Sequence, residues 1–189
     1  MKLRRFKNRF KEYEGYQQLF QTARYYNGQV AGTSVSAVAL TADTLYAIPF
    51  LVNKTNTFDR ISIDVTAAAA AGKKARLGIY QSNTATQLPG TLLLDAGEVA
   101  VDAIATVEIT ISQALSAGLY YLAVVSDGTP TLQANAAASA TAYLGAATPN
   151  ACAQASRLTR SHTYAALPAT YGTPTYAVGS SGFVFLRST

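Results

Sequence analysis

The sequence predicts a mainly β protein, an antiparallel β-sandwich preceded by an N-terminal amphipathic helical arm. Three observations predict it. From Val35 onward, short runs of strand-forming residues alternate with turn signals and show no helical period. Charged residues are scarce, 13% of the chain against a usual value of about 25%, and Ala, Thr, Ser and Gly take their place. The net charge of +5 sits at one end: residues 1–24 carry seven basic and two acidic side chains, and the remainder carries eight of each. The basic character therefore belongs to an arm and not to a folded face, which argues against a nucleic-acid partner.

The arm is assigned to residues 1–28. Leu3, Phe6, Phe10, Tyr13, Gln17, Phe20 and Arg24 follow the 3–4 spacing of one helical stripe, with Gln17 and Arg24 breaking its apolar character. Gly15 interrupts it at a cost of roughly 1 kcal/mol relative to Ala, and Asn27-Gly28 is a stop signal. Uninterrupted, residues 3–24 would span about 33 Å. Such a stripe needs a second surface. A membrane interface, nucleic acid, a protein assembly and the chain's own domain would each serve. Aromatic anchors flanked by charge favour protein docking, with Leu3, Phe6, Phe10, Tyr13 and Phe20 as the docking residues. No apolar segment follows the basic residues, so a secretory signal is not expected. Glu12 and Glu14 argue against a mitochondrial presequence. No apolar run reaches the roughly 18 residues of a membrane span.

Residues 29–189 are expected to form the sandwich. "VSAVAL" and "LYAIPFLV" read as strands. "DRISIDVT" alternates, with Ile61, Ile63 and Val65 on one face and Arg60, Ser62, Asp64 and Thr66 on the other. "ARLGIYQ", "GTLLLDAG" and "EVAVD" follow, and "ATVEITIS" alternates again with Val107, Ile109 and Ile111 inward. "GLYYLAVVSDG" is a near-continuous apolar run ended by a turn, the mark of a strand covered on both faces. It is expected to enter through a tight turn at Gly118. "SGFVFLRS" reads as a closing strand. Residues 128–182 are small and polar, with Tyr and Pro interleaved. Strands are expected there near Leu132–Ala134 and Ala142–Leu144, and long surface loops elsewhere.

Residues suited to catalysis are few. His162 is the single histidine and has no carboxylate beside it in sequence. No Gly-x-Ser-x-Gly elbow occurs, and one His with one Cys argues against a zinc site. The carboxylates Asp43, Asp59, Asp64, Asp95, Glu98, Asp102, Glu108 and Asp127 are dispersed and form no calcium-loop motif, which leaves only an ion held by loops from separate strands. No phosphate-binding loop is present. No cofactor and no enzymatic activity are expected. Cys152 is the single cysteine, so no internal disulfide forms. Its plain reading is a small structural residue in a chain made in a reducing cytosol. The candidate surface-ligand contacts are Tyr164, Tyr171 and Tyr176, with Arg157, Arg160 and His162 near them in sequence. Exposed Tyr stacks on sugar rings or anchors protein contacts, and the same rings could equally cap the ends of the sandwich.

The succession "RLGIY" (76–80), "LPGTLLLDAGEV" (88–99), "VEITI" (107–111) and "LSAGLYYLAVVSDG" (115–128) resembles a jelly-roll domain of tailed-bacteriophage virion proteins over residues 57–128. The resemblance implies a jelly-roll sandwich in a virion structural protein, made in the host bacterial cytoplasm. It would be a fibre or attachment component joined to other virion proteins by its arm. A capsid decoration or head-fibre protein is the alternative place. The resemblance also implies a symmetric homo-oligomer, a trimer as in phage fibres, and a host-surface glycan as an outward partner. Similar sandwiches serve as carbohydrate-binding modules, the alternative of another class. Such domains often carry Trp where this chain has Tyr121, and this chain has no Trp. The family carries no catalytic residues over.

Overall fold

The computed structural model describes residues 20–27, 35–135, 144 and 155–189. The expected arm residues Leu3, Phe6, Phe10 and Tyr13 lie outside the described residues, as do Cys152 and most of the strand expected at 142–144. The described residues form β1 (Tyr25–Tyr26), β2 (Val35–Ala39), β3 (Thr44–Val52), β4 (Asn56–Ala67), β5 (Lys74–Ser82), β6 (Pro89–Ala100), β7 (Ala105–Leu115), β8 (Gly118–Ser126), β9 (Thr131–Asn135), β10 (Ala155–Ser161), β11 (Thr175–Val178) and β12 (Phe185–Ser188). Among the described residues no helix is long and apolar enough to cross a membrane.

The strands build a β-sandwich of two antiparallel sheets. Sheet I runs β1-β12-β4-β9-β2, with β7 on the opposite edge of β4; sheet II runs β11-β10-β3-β8-β5-β6. The pairing is nested. β5 pairs with β6, β4 with β7, β3 with β8 and β2 with β9. Residues 35–135 are thus one long hairpin, four strands against four. It is rolled so that β5 also meets β8 and β4 also meets β9.

Alternation places the core between the sheets. Ile61, Ile63 and Val65 of β4 are buried there, facing Ile48 and Phe50 of β3, Leu77 and Ile79 of β5, and Leu122 and Val124 of β8. Each fully buried side chain of this kind stabilises by about 1.5–3 kcal/mol. Val107, Ile109 and Ile111 pack on the same core from β7 and are only half-buried, since β7 forms an edge of sheet I.

β8 is covered on both faces for a reason the local pattern only hints at. A second core lies on the outer face of sheet II, where Leu45, Ala47, Tyr80, Tyr121, Ala123, Val125 and Leu158 are roofed by Leu167 and Tyr171. These two belong to a strap, residues 162–174, that crosses the sheet. The Tyr164 amide donates to Asp43 Oδ1 at 2.7 Å, the Leu167 amide to Asp95 Oδ2 at 3.1 Å, and the Tyr171 amide to the Gly90 carbonyl at 2.9 Å. Gly78 lies beneath it. A Cβ there would stand 2.6 Å from the Leu94 carbonyl oxygen and against the Leu167 side chain, so the strap sits close because this position has no side chain.

Three expectations need correction. Outside the strands expected near Leu132–Ala134 and Ala142–Leu144, the segment 128–182 is not all loop: β10 and β11 extend sheet II from the edge of β3. "GTLLLDAG" and "EVAVD" are one strand, β6, whose register with β5 shifts along its length. Phe20 packs on the sandwich. Its ring meets Tyr26 at 4.9 Å and Phe58 at 5.3 Å, both edge to face. With Tyr25 paired to Arg187, the sandwich takes in residues N-terminal to the boundary expected at 28/29. The outer face of sheet I fastens this entry. The Tyr25 hydroxyl donates to Glu108 at 2.8 Å, Glu108 pairs with Arg60 at 3.4 Å, and Arg187 grips Asp59 through two bonds of 2.8 and 2.7 Å.

Candidate functional site

A groove of about 870 Å³ opens on the outer face of sheet II, beside the strap. Alternation along β3 sends Ile48 and Phe50 into the main core and leaves Pro49 and Leu51 on the groove side. Along β8 the same rule buries Tyr120 toward the main core and Tyr121 toward the outer face. The loop between β5 and β6, residues 83–88, forms one wall, and the β7–β8 turn forms another at Ser116 and Ala117. Tyr176 of β11 stands at the margin, 52% exposed, and Leu51 is 49% exposed.

The 83–88 loop is held from within. Asn83 Oδ1 accepts the amides of Ala85 at 2.9 Å and Thr86 at 3.2 Å, an Asx turn. The Gln87 amide donates to the Asn83 carbonyl at 2.7 Å, and the Asn83 amide to the Leu88 carbonyl at 2.8 Å. Gln87 has φ +58°, a conformation costly for a residue with a side chain. The Tyr121 hydroxyl stabilises it from below by donating to the Gln87 carbonyl at 2.5 Å. Burial pushes the Tyr121 phenol up to about 12, so it stays a donor at neutral pH.

Among the described residues no Asp, Glu, Lys, Arg or His lines the groove. Its polar groups include the amides and hydroxyls of Gln81, Asn83, Thr84, Gln87 and Ser116, over a floor of Tyr and Leu. Several charged groups of the body pair elsewhere: Arg76 with Asp95 at 2.8 Å, Lys74 with Glu98 at 3.1 Å, and Lys73 with Asp127 at 3.7 Å. Lys74 holds the Glu98 carboxyl below the usual carboxylate range, with a smaller contribution from Tyr164. Among the described residues no three His, Cys, Asp or Glu side chains gather where a metal ion would be held.

The residues proposed from sequence as surface contacts are mostly structural. Tyr171 is fully buried and cannot reach a ligand; its hydroxyl donates to the Leu45 carbonyl at 2.8 Å. Tyr164 is half-buried under the strap, and burial first, then the Glu98 carboxylate, raises its phenol; the two fall short of a well-formed hydrogen bond. Arg160 donates to the Tyr171 carbonyl. Arg157 donates to the Ser180 carbonyl and stands 5.8 Å over the Tyr46 ring, where burial lowers its pKa. His162 Nε2 lies 3.3 Å from the Ala166 carbonyl. Arg160, His162, Tyr164 and Tyr171 thus hold the strap, and Arg157 holds the chain after β11. Only Tyr176 of the six reaches the groove. Sequence reasoning missed Gln81, Asn83, Thr84 and Gln87, although the polar run "QSNTATQ" between two apolar strands marked the loop.

No protein-family model matches the chain, and no curated protein shows significant similarity to it.

Proposed function

We propose that the protein is a structural component of a bacteriophage particle. Residues N-terminal to Phe20 anchor it, and the sandwich faces outward as part of an attachment structure. The observation that carries this reading is the nested pairing of β2 with β9, β3 with β8, β4 with β7 and β5 with β6. That order is what a jelly roll of the viral capsid and lectin type calls for, and it supports reading the chain with the family that residues 57–128 resemble. A second observation supports it. The N-terminal segment enters through β1 on sheet I, while the groove is built on sheet II. Anchoring and outward contact therefore use different sheets. The scarcity of charge on the body suits packing against further copies, and the resemblance makes the assembly a trimer.

The test is deletion of residues 2–19 and mass spectrometry of purified particles. The truncated chain should remain folded and be missing from particles. Normal incorporation of the truncated chain would end the anchor reading. Copy number places the protein: about a dozen copies indicates a tail structure, and hundreds indicate capsid decoration.

A further inference from the structure

We propose that the groove on sheet II is a binding site for an uncharged glycan. Its role in host attachment rests on the outward-facing reading above; the binding itself stands on the groove's own chemistry. An ionic ligand would find no opposite charge there among the described residues, since no ionised side chain of theirs lines the groove. The groove offers groups that match hydroxyls. Asn83 commits its Oδ1 to the turn, and its Nδ2 makes no hydrogen bond among the described residues. The side chains of Gln81 and Gln87 and the Tyr176 hydroxyl likewise have no bonding partner among the described residues. Side-chain amides present both donors and acceptors, and so do sugar hydroxyls. The apolar faces of Tyr176 and Leu51 complete the match, since a sugar ring carries C–H faces between its hydroxyls.

Size and rigidity agree with this. A volume of about 870 Å³ falls among ligand pockets of about 300–1,000 Å³. The polar wall is fixed before any ligand arrives, through the Asx turn at Asn83, the left-handed Gln87 and the Tyr121 phenol beneath it. A preordered wall lowers the entropic cost of binding. Local strain of this kind clusters at ligand sites.

The test uses the full chain, isotopically labelled, titrated separately with dextran, maltoheptaose and mannan, with polygalacturonate as an anionic control. At least one neutral glycan should bind saturably and shift the amides of Gln81, Asn83, Thr84, Gln87 and Tyr176. Polygalacturonate should shift none of them. Asn83→Asp keeps the turn acceptor while removing the free donor and adding charge. It and Tyr176→Ala should each weaken binding by roughly tenfold, as loss of an anchoring contact does, with the thermal midpoint unchanged. The proposal is overturned if no neutral glycan shifts the groove, if polygalacturonate binds there more tightly, or if both variants bind like the parent chain. The particle experiment reads out separately. A chain absent from particles that still binds a neutral glycan sinks only the virion reading. A chain present in particles with an inert groove sinks only the glycan site.

Discussion

The ring of Tyr171 stands edge-on to the ring of Tyr80, with 5.3 Å between centroids and 89° between planes. The two hydroxyls cross over. Tyr171, on the strap, donates to the Leu45 carbonyl of β3 at 2.8 Å; Tyr80, on β5, donates to the Pro168 carbonyl of the strap at 2.9 Å. Each half of this clasp satisfies a backbone group of the other.

Removing either hydroxyl should loosen the clasp without emptying it. Tyr171→Phe and Tyr80→Phe should each cost about 1–2 kcal/mol in urea unfolding, the usual effect of a lost hydrogen bond in a buried site. The double variant should cost less than their sum, because the two bonds hold the same strap. Tyr171→Ala should cost about 3–5 kcal/mol, as for other large aromatic truncations in a core. It should also raise amide exchange across residues 162–174. Strict additivity in the double variant would show that the clasp is two independent bonds.

Acid should weaken sheet I through Asp59. The Arg187 guanidinium, bonded to both its oxygens, holds the Asp59 carboxyl below the ordinary range. The unfolded chain therefore takes up this proton at a higher pH than the native chain does. The contribution is complete above the unfolded value of about 4, and it fades as pH falls through the lower folded value. Thermal midpoints measured from neutral pH down to about 2.5 should fall less steeply for Asp59→Asn than for the parent chain. High salt should narrow the difference, since the pair is solvent-accessible. Parallel curves would remove Asp59 from the account.

Phe20 should behave as a core residue. Phe20→Ala should cost about 2 kcal/mol, below the range for a fully buried Phe because this ring is half-exposed. A deletion through residue 24 would remove this ring together with the entry to β1, and so would confuse unfolding with loss of docking. Deletion through residue 19 avoids that. Denaturation curves of the two truncations, compared before any particle assay, should show the longer deletion alone to be destabilised.

Much of the sandwich was legible, and the reason is local. Ile61, Ile63 and Val65 alternate because one face of β4 meets the core, and the unbroken apolar run of β8 reflects cover on both faces. β10 and β11 were not legible. "ASRLTRS" and "TYAV" show little alternation, and their strand state comes from β10 adding to the ready edge of β3 and β11 adding to β10. Propensity carries little information where a neighbouring edge decides the outcome. The candidate site failed in a similar way. Tyr171 and Tyr176 look alike in a loop of small polar residues, and only the path of the strap makes one a core ring and the other a groove ring. The polar run of residues 81–87 separates two apolar strands in the sequence, but its wall of free amides emerges only when β3, β8 and β11 surround it.

The nested pairing also gives the chain a stepwise way to close on itself. β5 and β6 are joined by residues 83–88 alone, and once they zip together β4 and β7 become neighbours, then β3 and β8, then β2 and β9. Each closure shortens the loop left for the next, which divides a large entropic barrier into small ones. The tip of this zipper is the turn that walls the groove. Substitutions at Asn83 and Gln87 should therefore bear on two things at once, the wall of the finished groove and the closure of the turn in the unfinished chain. A substitution that tunes the groove by slackening this turn should slow refolding while leaving the unfolding rate nearly unchanged. The shape of the groove and the speed of folding are thus coupled through one six-residue turn, residues 83–88.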